Sequence, residues 1–133
     1  IKNSRVSAAK LPAAVYEEDE IARAVRRSAE NLGWRDEKRG AFGEMIEEGA
    51  RVVVKPNLVL HKNRAASGGD GILPLVTNQT LIKAVVAEVL KANPAQVLVG
   101  DAPVQSCDFD SLLRETGLGD WAAELQKRDL RFK

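Results

Sequence analysis

Residues 52–56 read Val-Val-Val-Lys-Pro, and this short stretch restricts the fold more than any other. Three consecutive β-branched residues disfavour helix and fit a strand buried on both faces. Pro56 has no N–H to give to a sheet. The strand candidate therefore covers Arg51 to Leu60, with regular pairing expected to end at about Lys55. A second run of the same type, Gln96 to Val99, finishes at Gly100-Asp101. Between the two lies Leu81 to Leu90, where Leu81, Ile82, Val85, Val86, Val89 and Leu90 make a wide apolar stripe at helical spacing. Strand, helix and strand in that order predict a parallel pair joined by a right-handed crossover.

The flanking segments extend the pattern. Glu17 to Leu32 predicts a helix, with an acidic start suited to the positive end of the dipole. Ile21, Val25, Ala29 and Leu32 form its apolar line, and Gly33 ends it. Arg5 to Leu11 is a weaker strand candidate, interrupted by Pro12. Trp34 to Gly49 is charged and glycine-punctuated, a surface helix–loop connection in which Phe42, Met45 and Ile46 share a short helical face. His61 to Leu75 is a long loop. Thr77 or Asn78 caps the central helix, which runs to about Ala92 before Asn93-Pro94. Ser106 or Asp108 caps a helix with Phe109, Leu112 and Leu113, stopped by Gly117. Asp120 caps a further turn with Trp121 and Leu125. Asp129 to Lys133, with Leu130 and Phe132, predicts a last strand. The expected fold is one α/β domain over residues 1–133: a mainly parallel open sheet with helices on both faces, in three layers, and the N-terminal part of a larger domain.

Composition narrows the function classes. A chain of 133 residues with 44% hydrophobic residues suffices for one core. The net charge of +1 and only six aromatic residues (two Trp, one Tyr, three Phe) argue against a nucleic-acid or membrane-surface binder. No run reaches the ~20 apolar residues of a membrane helix. One cysteine, Cys107, cannot form an internal disulfide, hold an iron–sulfur cluster or build a zinc site alone. A reducing, cytoplasmic setting fits that count.

In open α/β sheets, ligands sit beyond the carboxyl ends of the strands. Lys55 and Asp101 would emerge there together, beside the helix start at Thr77-Asn78, whose backbone N–H groups suit an anion. Lys55 is read as an anion-binding or acid/base group, or as a strand-end lysine paired to Asp101. Asp101 is read as a metal ligand or base, or as a turn former. Asn57 is read as a ligand contact or an ordinary turn residue. Thr77 and Asn78 are helix caps and ligand donors at once. The loop bearing His61, Lys62, Asn63 and Arg64 is a candidate lid. Its Gly68-Gly69-Asp70-Gly71 lacks the Gly-Lys-Ser/Thr of a P-loop and is read as mobile. His61, the only histidine, is read as an exposed loop residue or a general base. Cys107 is a small buried residue or a thiol activated by a helix start. Glu17 to Glu20 and Arg35 to Arg39 are solvated faces.

Three ordered blocks also resemble a known family. They are Val52-Val53-Val54-Lys55-Pro56-Asn57-Leu58-Val59, then Val76-Thr77-Asn78 with its helix, then Val97-Leu98-Val99-Gly100-Asp101-Ala102-Pro103. Together they are similar to the prokaryotic domain of unknown function numbered 362. The likeness covers roughly Arg5 to Gly117 and is densest from Arg51 to Asp108. The resemblance implies site residues Lys55, Asn57, Thr77 and Asp101, and a redox setting, since many members carry a ferredoxin-type iron–sulfur segment. This chain departs there, having one cysteine, and has Thr77-Asn78-Gln79 where the family commonly has Thr-Asp-Pro or Thr-His-Pro.

The leading expectation is an enzyme domain binding a small anion, with or without a metal, at the carboxyl edge of the sheet; its cofactor is unknown. The alternative is a non-catalytic packing module, either a homodimer or in contact with segments beyond Lys133.

Overall fold

A computed structural model of the chain describes residues 5–12, 16–63 and 71–133. The two β-branched runs pair as expected. Strand β1 (Arg51–Val54) and strand β2 (Gln96–Val99) are parallel, in register from Arg51↔Gln96 to Val54↔Val99. Pairing stops at Val54 because Pro56 lies just beyond. The chain then turns, and Leu58 makes an antiparallel bridge to Val76.

Four helices accompany the strands: α1 (Glu18–Leu32), α2 (Gln79–Lys91), α3 (Phe109–Thr116) and α4 (Leu118–Arg128). Helix α1 ends at Gly33, whose φ of 74° lets its N–H reach back to the carbonyls of Ala29 and Glu30. Asn78 caps α2, its Oδ1 accepting from Thr80 N–H at 2.8 Å. Asp108, rather than Ser106, caps α3. Helix α4 begins directly after Gly117, before Asp120, and is three turns long rather than one.

One core joins these elements. Ile82, Val86 and Val89 of α2 meet Val97 of β2, Leu112 of α3, Leu118 of α4 and Phe132. Val52, Val54 and Val99 point into the same core. Period two then sends Val53 and Leu98, which are register partners, to the opposite face. They are 66% and 45% exposed. The expectation that the Val52–Val54 run is buried on both faces is therefore corrected. Among the described residues, the packed face of the sheet is the one that bears Val52 and Val97.

Other segments also differ. Residues 5–11 form no strand; they lie as coil, tied to α1 where Asn31 Nδ2 donates to Ser7 Oγ at 3.2 Å. The predicted strand at Asp129–Lys133 is reduced to one parallel bridge, Val97↔Phe132. Val97 N–H donates to Arg131 O and Lys133 N–H to Val97 O, both at 2.8 Å, so β2 is flanked on both edges. Leu130 is outside that ladder and 81% exposed, while Phe132 is buried against Trp121 with ring centroids 5.4 Å apart.

Residues 34–50 contain no helix. Asp36 and Gly40 close a tight turn, and Asp36 Oδ1 accepts from the N–H groups of Lys38 and Arg39. Gly43 packs so closely that a Cβ there would sit 2.5 Å from Asp36 Cβ. Ile46 enters the core but Met45 is exposed, so the two do not share a buried face.

Candidate functional site

The parallel register brings the ends of β1 and β2 to one edge. Lys55 follows β1 directly, and Asp101 lies two residues past β2. Lys55 Nζ stands 2.6 Å from Asp101 Oδ1. The carboxylate is 5% exposed, whereas the lysine side chain is 64% exposed. Asp101 also accepts backbone donors: Leu58 N–H on Oδ2 at 2.6 Å and Ala102 N–H on Oδ1 at 2.9 Å. The Lys55 hydrogen bond and these amides outweigh desolvation and lower the carboxyl to about 2. At neutral pH it is a filled, ionised acceptor. It ties β1, the turn after Pro56 and the end of β2 into one unit.

Thr77 stands nearby and is spoken for. Its Oγ1 accepts from Asn57 N–H at 2.9 Å, and its own N–H donates to Asn57 O at 2.8 Å. Asn57 is thus fixed through its backbone and its side chain is exposed. The first turn of α2 offers an anion little, because Thr80 N–H goes to Asn78 Oδ1 and the amides of Leu81 and Ile82 go to Asn78 O. Lys55, Pro56 and Thr77 line a cavity of about 190 Å³ together with Val54, Leu81, Ile82 and Val85. That is smaller than the ~300 Å³ at which small-molecule sites begin. It is too small for a nucleotide. Asn78 and Asp101 do not line it.

The remaining candidates fall elsewhere. His61 is 8% exposed, not an exposed loop residue. Its Nδ1 accepts from Asp108 N–H at 2.8 Å. His61 therefore braces the start of α3, where Asp108 holds Ser111 through its amide and its hydroxyl. Those two bonds, with help from Arg114, lower the Asp108 carboxyl against desolvation. Cys107 is half-buried against the core as a free thiol. Of the candidate lid, Arg64 and residues 67–70 lie outside the described residues; Leu73–Leu75 form a single 3-10 turn. Among the described residues, no group of three His, Cys, Asp or Glu side chains is placed to hold a metal ion. None of their helices is long and apolar enough to cross a membrane.

One residue escaped the sequence reading. Glu88, which breaks the apolar stripe of α2, is 2% exposed. It accepts from Lys91 Nζ at 2.7 Å, and from Arg26 Nη1 and Ala41 N–H, both at 3.1 Å. It joins α1, α2 and the 34–50 segment. Its only signal in the sequence is an acidic residue inside an otherwise apolar helix face.

A family model described as Domain of unknown function (DUF362) matches residues 52–132. No curated protein and no solved structure matches the chain. The matched residues contain Lys55, Asn57, Thr77, Asn78 and Asp101. They reach Phe132, further than the likeness seen in the sequence, but start only at β1. The chain belongs to the DUF362 family of domains of unknown function.

Proposed function

We propose that the carboxyl edge of the sheet binds a small anion, phosphate- or carboxylate-sized, and that the domain is an enzyme acting there. One observation carries the reading: an exposed ammonium, Lys55, is fixed in place by a carboxylate that is almost wholly buried. A cation held this way loses little freedom when it meets a ligand. Lys55 donates to the anion while still paired to Asp101, and Thr77 lines the same cavity. Asp101 acts as the positioning group for Lys55; a carboxyl lowered to about 2 is a weak proton acceptor at neutral pH. A cytoplasmic setting goes with this reading, supported by the single unpaired cysteine.

Thermal unfolding of the native chain and of Lys55→Ala, with phosphate, nucleotides, carboxylates and divalent metals, tests it. A ligand at a hundred times its Kd stabilises by about 2.7 kcal/mol. That moves Tm by several degrees for a domain of this size. A shift in the native chain that disappears in Lys55→Ala supports the site. An equal shift in both removes Lys55 from it.

The exposed pair Val53 and Leu98 favours a second reading, a packing module. The open sheet face would meet a second copy of the chain, which would supply the further layer of a three-layer sheet. Concentration-dependent dimerisation in light scattering, abolished by Leu98→Lys, would favour this reading over the first.

A further inference from the structure

The cavity at the end of β1 is walled mainly by hydrocarbon. Val54, Pro56, Leu81, Ile82 and Val85 line it together with Lys55 and Thr77. Leu81 and Val85 stand one turn apart on α2 and are each half-buried, and Ile82 beside them is 2% exposed. The Thr77 hydroxyl is committed elsewhere: Oγ1 accepts from Asn57 N–H at 2.9 Å and donates to Asn57 O at 3.4 Å. Among the described residues lining the cavity, Lys55 alone carries a charge. Its Nζ lies 3.4 Å from the carbonyl oxygen of Pro56, another lining residue, and so stands at the cavity's rim.

That arrangement separates ligands by charge and by shape. The ammonium already faces Asp101 Oδ1 at 2.6 Å, so the pair carries no net charge. A dianion such as phosphate gains one donor there but also meets the Asp101 carboxylate, and the described lining offers no second cation to offset it. The apolar walls would strip water from the phosphate oxygens and return no hydrogen bonds. A monocarboxylate sets a single charge at Lys55 and can turn a hydrocarbon tail toward Leu81 and Val85. The volume fixes the tail's length. An apolar cavity of ~150 Å³ holds a six-carbon ring, so about 190 Å³ accommodates a straight tail of about four carbons beside its carboxylate.

We propose that the strand edge selects a short aliphatic monocarboxylate, its carboxylate on Lys55 and its tail in the cavity between the end of β1 and the first two turns of α2. The assignment rests on the anion site proposed above and names the class of ligand that site takes.

Titration of the isotope-labelled full chain with acetate, propionate, butanoate, pentanoate and inorganic phosphate, followed through amide chemical shifts, tests the assignment. A buried methylene contributes ~0.8 kcal/mol, so affinity rises ~4-fold per carbon from acetate to pentanoate. The shifts concentrate at Val54, Leu81, Ile82 and Val85, and phosphate binds more weakly than butanoate. Lys55→Ala weakens pentanoate ~10-fold or more, as expected for a lost hydrogen bond to a charged group. Val85→Phe fills the cavity, removes the gain per methylene and leaves acetate binding unchanged. Circular dichroism and urea midpoints verify that each variant is folded. Equal affinities along the series, or phosphate as the tightest ligand, with binding still lost in Lys55→Ala, overturn the aliphatic class and leave the anion site standing. Pentanoate binding unweakened in Lys55→Ala overturns the anion site itself. No binding of any of these compounds by the native chain overturns both.

Discussion

Replacing Glu88 with alanine removes the acceptor of three donors at once. The largest loss falls on Ala41, a residue 1% exposed, whose N–H cannot turn to water. A buried amide left unsatisfied costs ~1–3 kcal/mol. Arg26 and Lys91 have side chains 40% and 52% exposed and rehydrate, so each adds only ~0–1 kcal/mol. Lost burial of the side-chain methylenes adds ~1 kcal/mol, and the better helix propensity of alanine returns a few tenths of that. The sum is about 3 kcal/mol, or a fall in Tm of about 10 °C for a chain of this length. Glu88→Gln keeps the stem and one carbonyl for Ala41 N–H, and should cost about 1 kcal/mol. Urea denaturation followed by circular dichroism measures both.

The pH dependence has a definite sign. Burial pushes the Glu88 carboxyl up, but Lys91, the Ala41 amide and Arg26 together hold it below its ordinary value of 4.5. A group lowered on folding stabilises above its unfolded value and loses that effect as pH falls through the folded one. The gap between the native chain and Glu88→Gln should therefore shrink below pH 4.5. A Glu88→Ala variant within ~0.5 kcal/mol of native, no more than an ordinary surface substitution, or a gap that widens in acid, would refute the reasoning.

Three further outcomes are expected. Asp101→Asn lowers the urea midpoint at neutral pH, and the gap to native persists below pH 3.8, closing only as pH falls toward about 2; closure already complete near 3.8 would contradict the lowered carboxyl. Gly43→Ala places a Cβ 2.5 Å from Asp36 Cβ and 2.7 Å from Arg39 Cβ and costs ~1–3 kcal/mol, whereas Gly33→Ala, at a φ of 74° with open space around it, costs only ~1 kcal/mol; denaturation midpoints rank the two. His61→Ala strips Asp108 N–H of its acceptor, costs ~1–2 kcal/mol, and speeds amide hydrogen exchange in the first turn of α3; unchanged exchange there would show that His61 does not brace the helix.

The sequence by itself determined the elements whose signals are local. The Val52–Val54 run before Pro56, the Gln96–Val99 run, the stripe of α2 and the glycines after α1 and α3 each act within a few residues, through β-branching, a missing N–H or a left-handed φ. Parallel pairing followed from their order, and with it the meeting of Lys55 and Asp101 at one edge. Tertiary structure decided what depends on partners far along the chain. Val53 is exposed because the helical layer packs against Val52 and Val54, a choice of face the uniform Val-Val-Val run does not encode. Asp129–Lys133 pairs at a single bridge because its ladder starts only after Leu130. His61 meets Asp108 across 47 positions, and Glu88 meets Ala41 across another 47. Whether such a polar side chain is a solvated surface group or a buried brace depends on the donor that folding brings to it, because burial without that donor would be too costly.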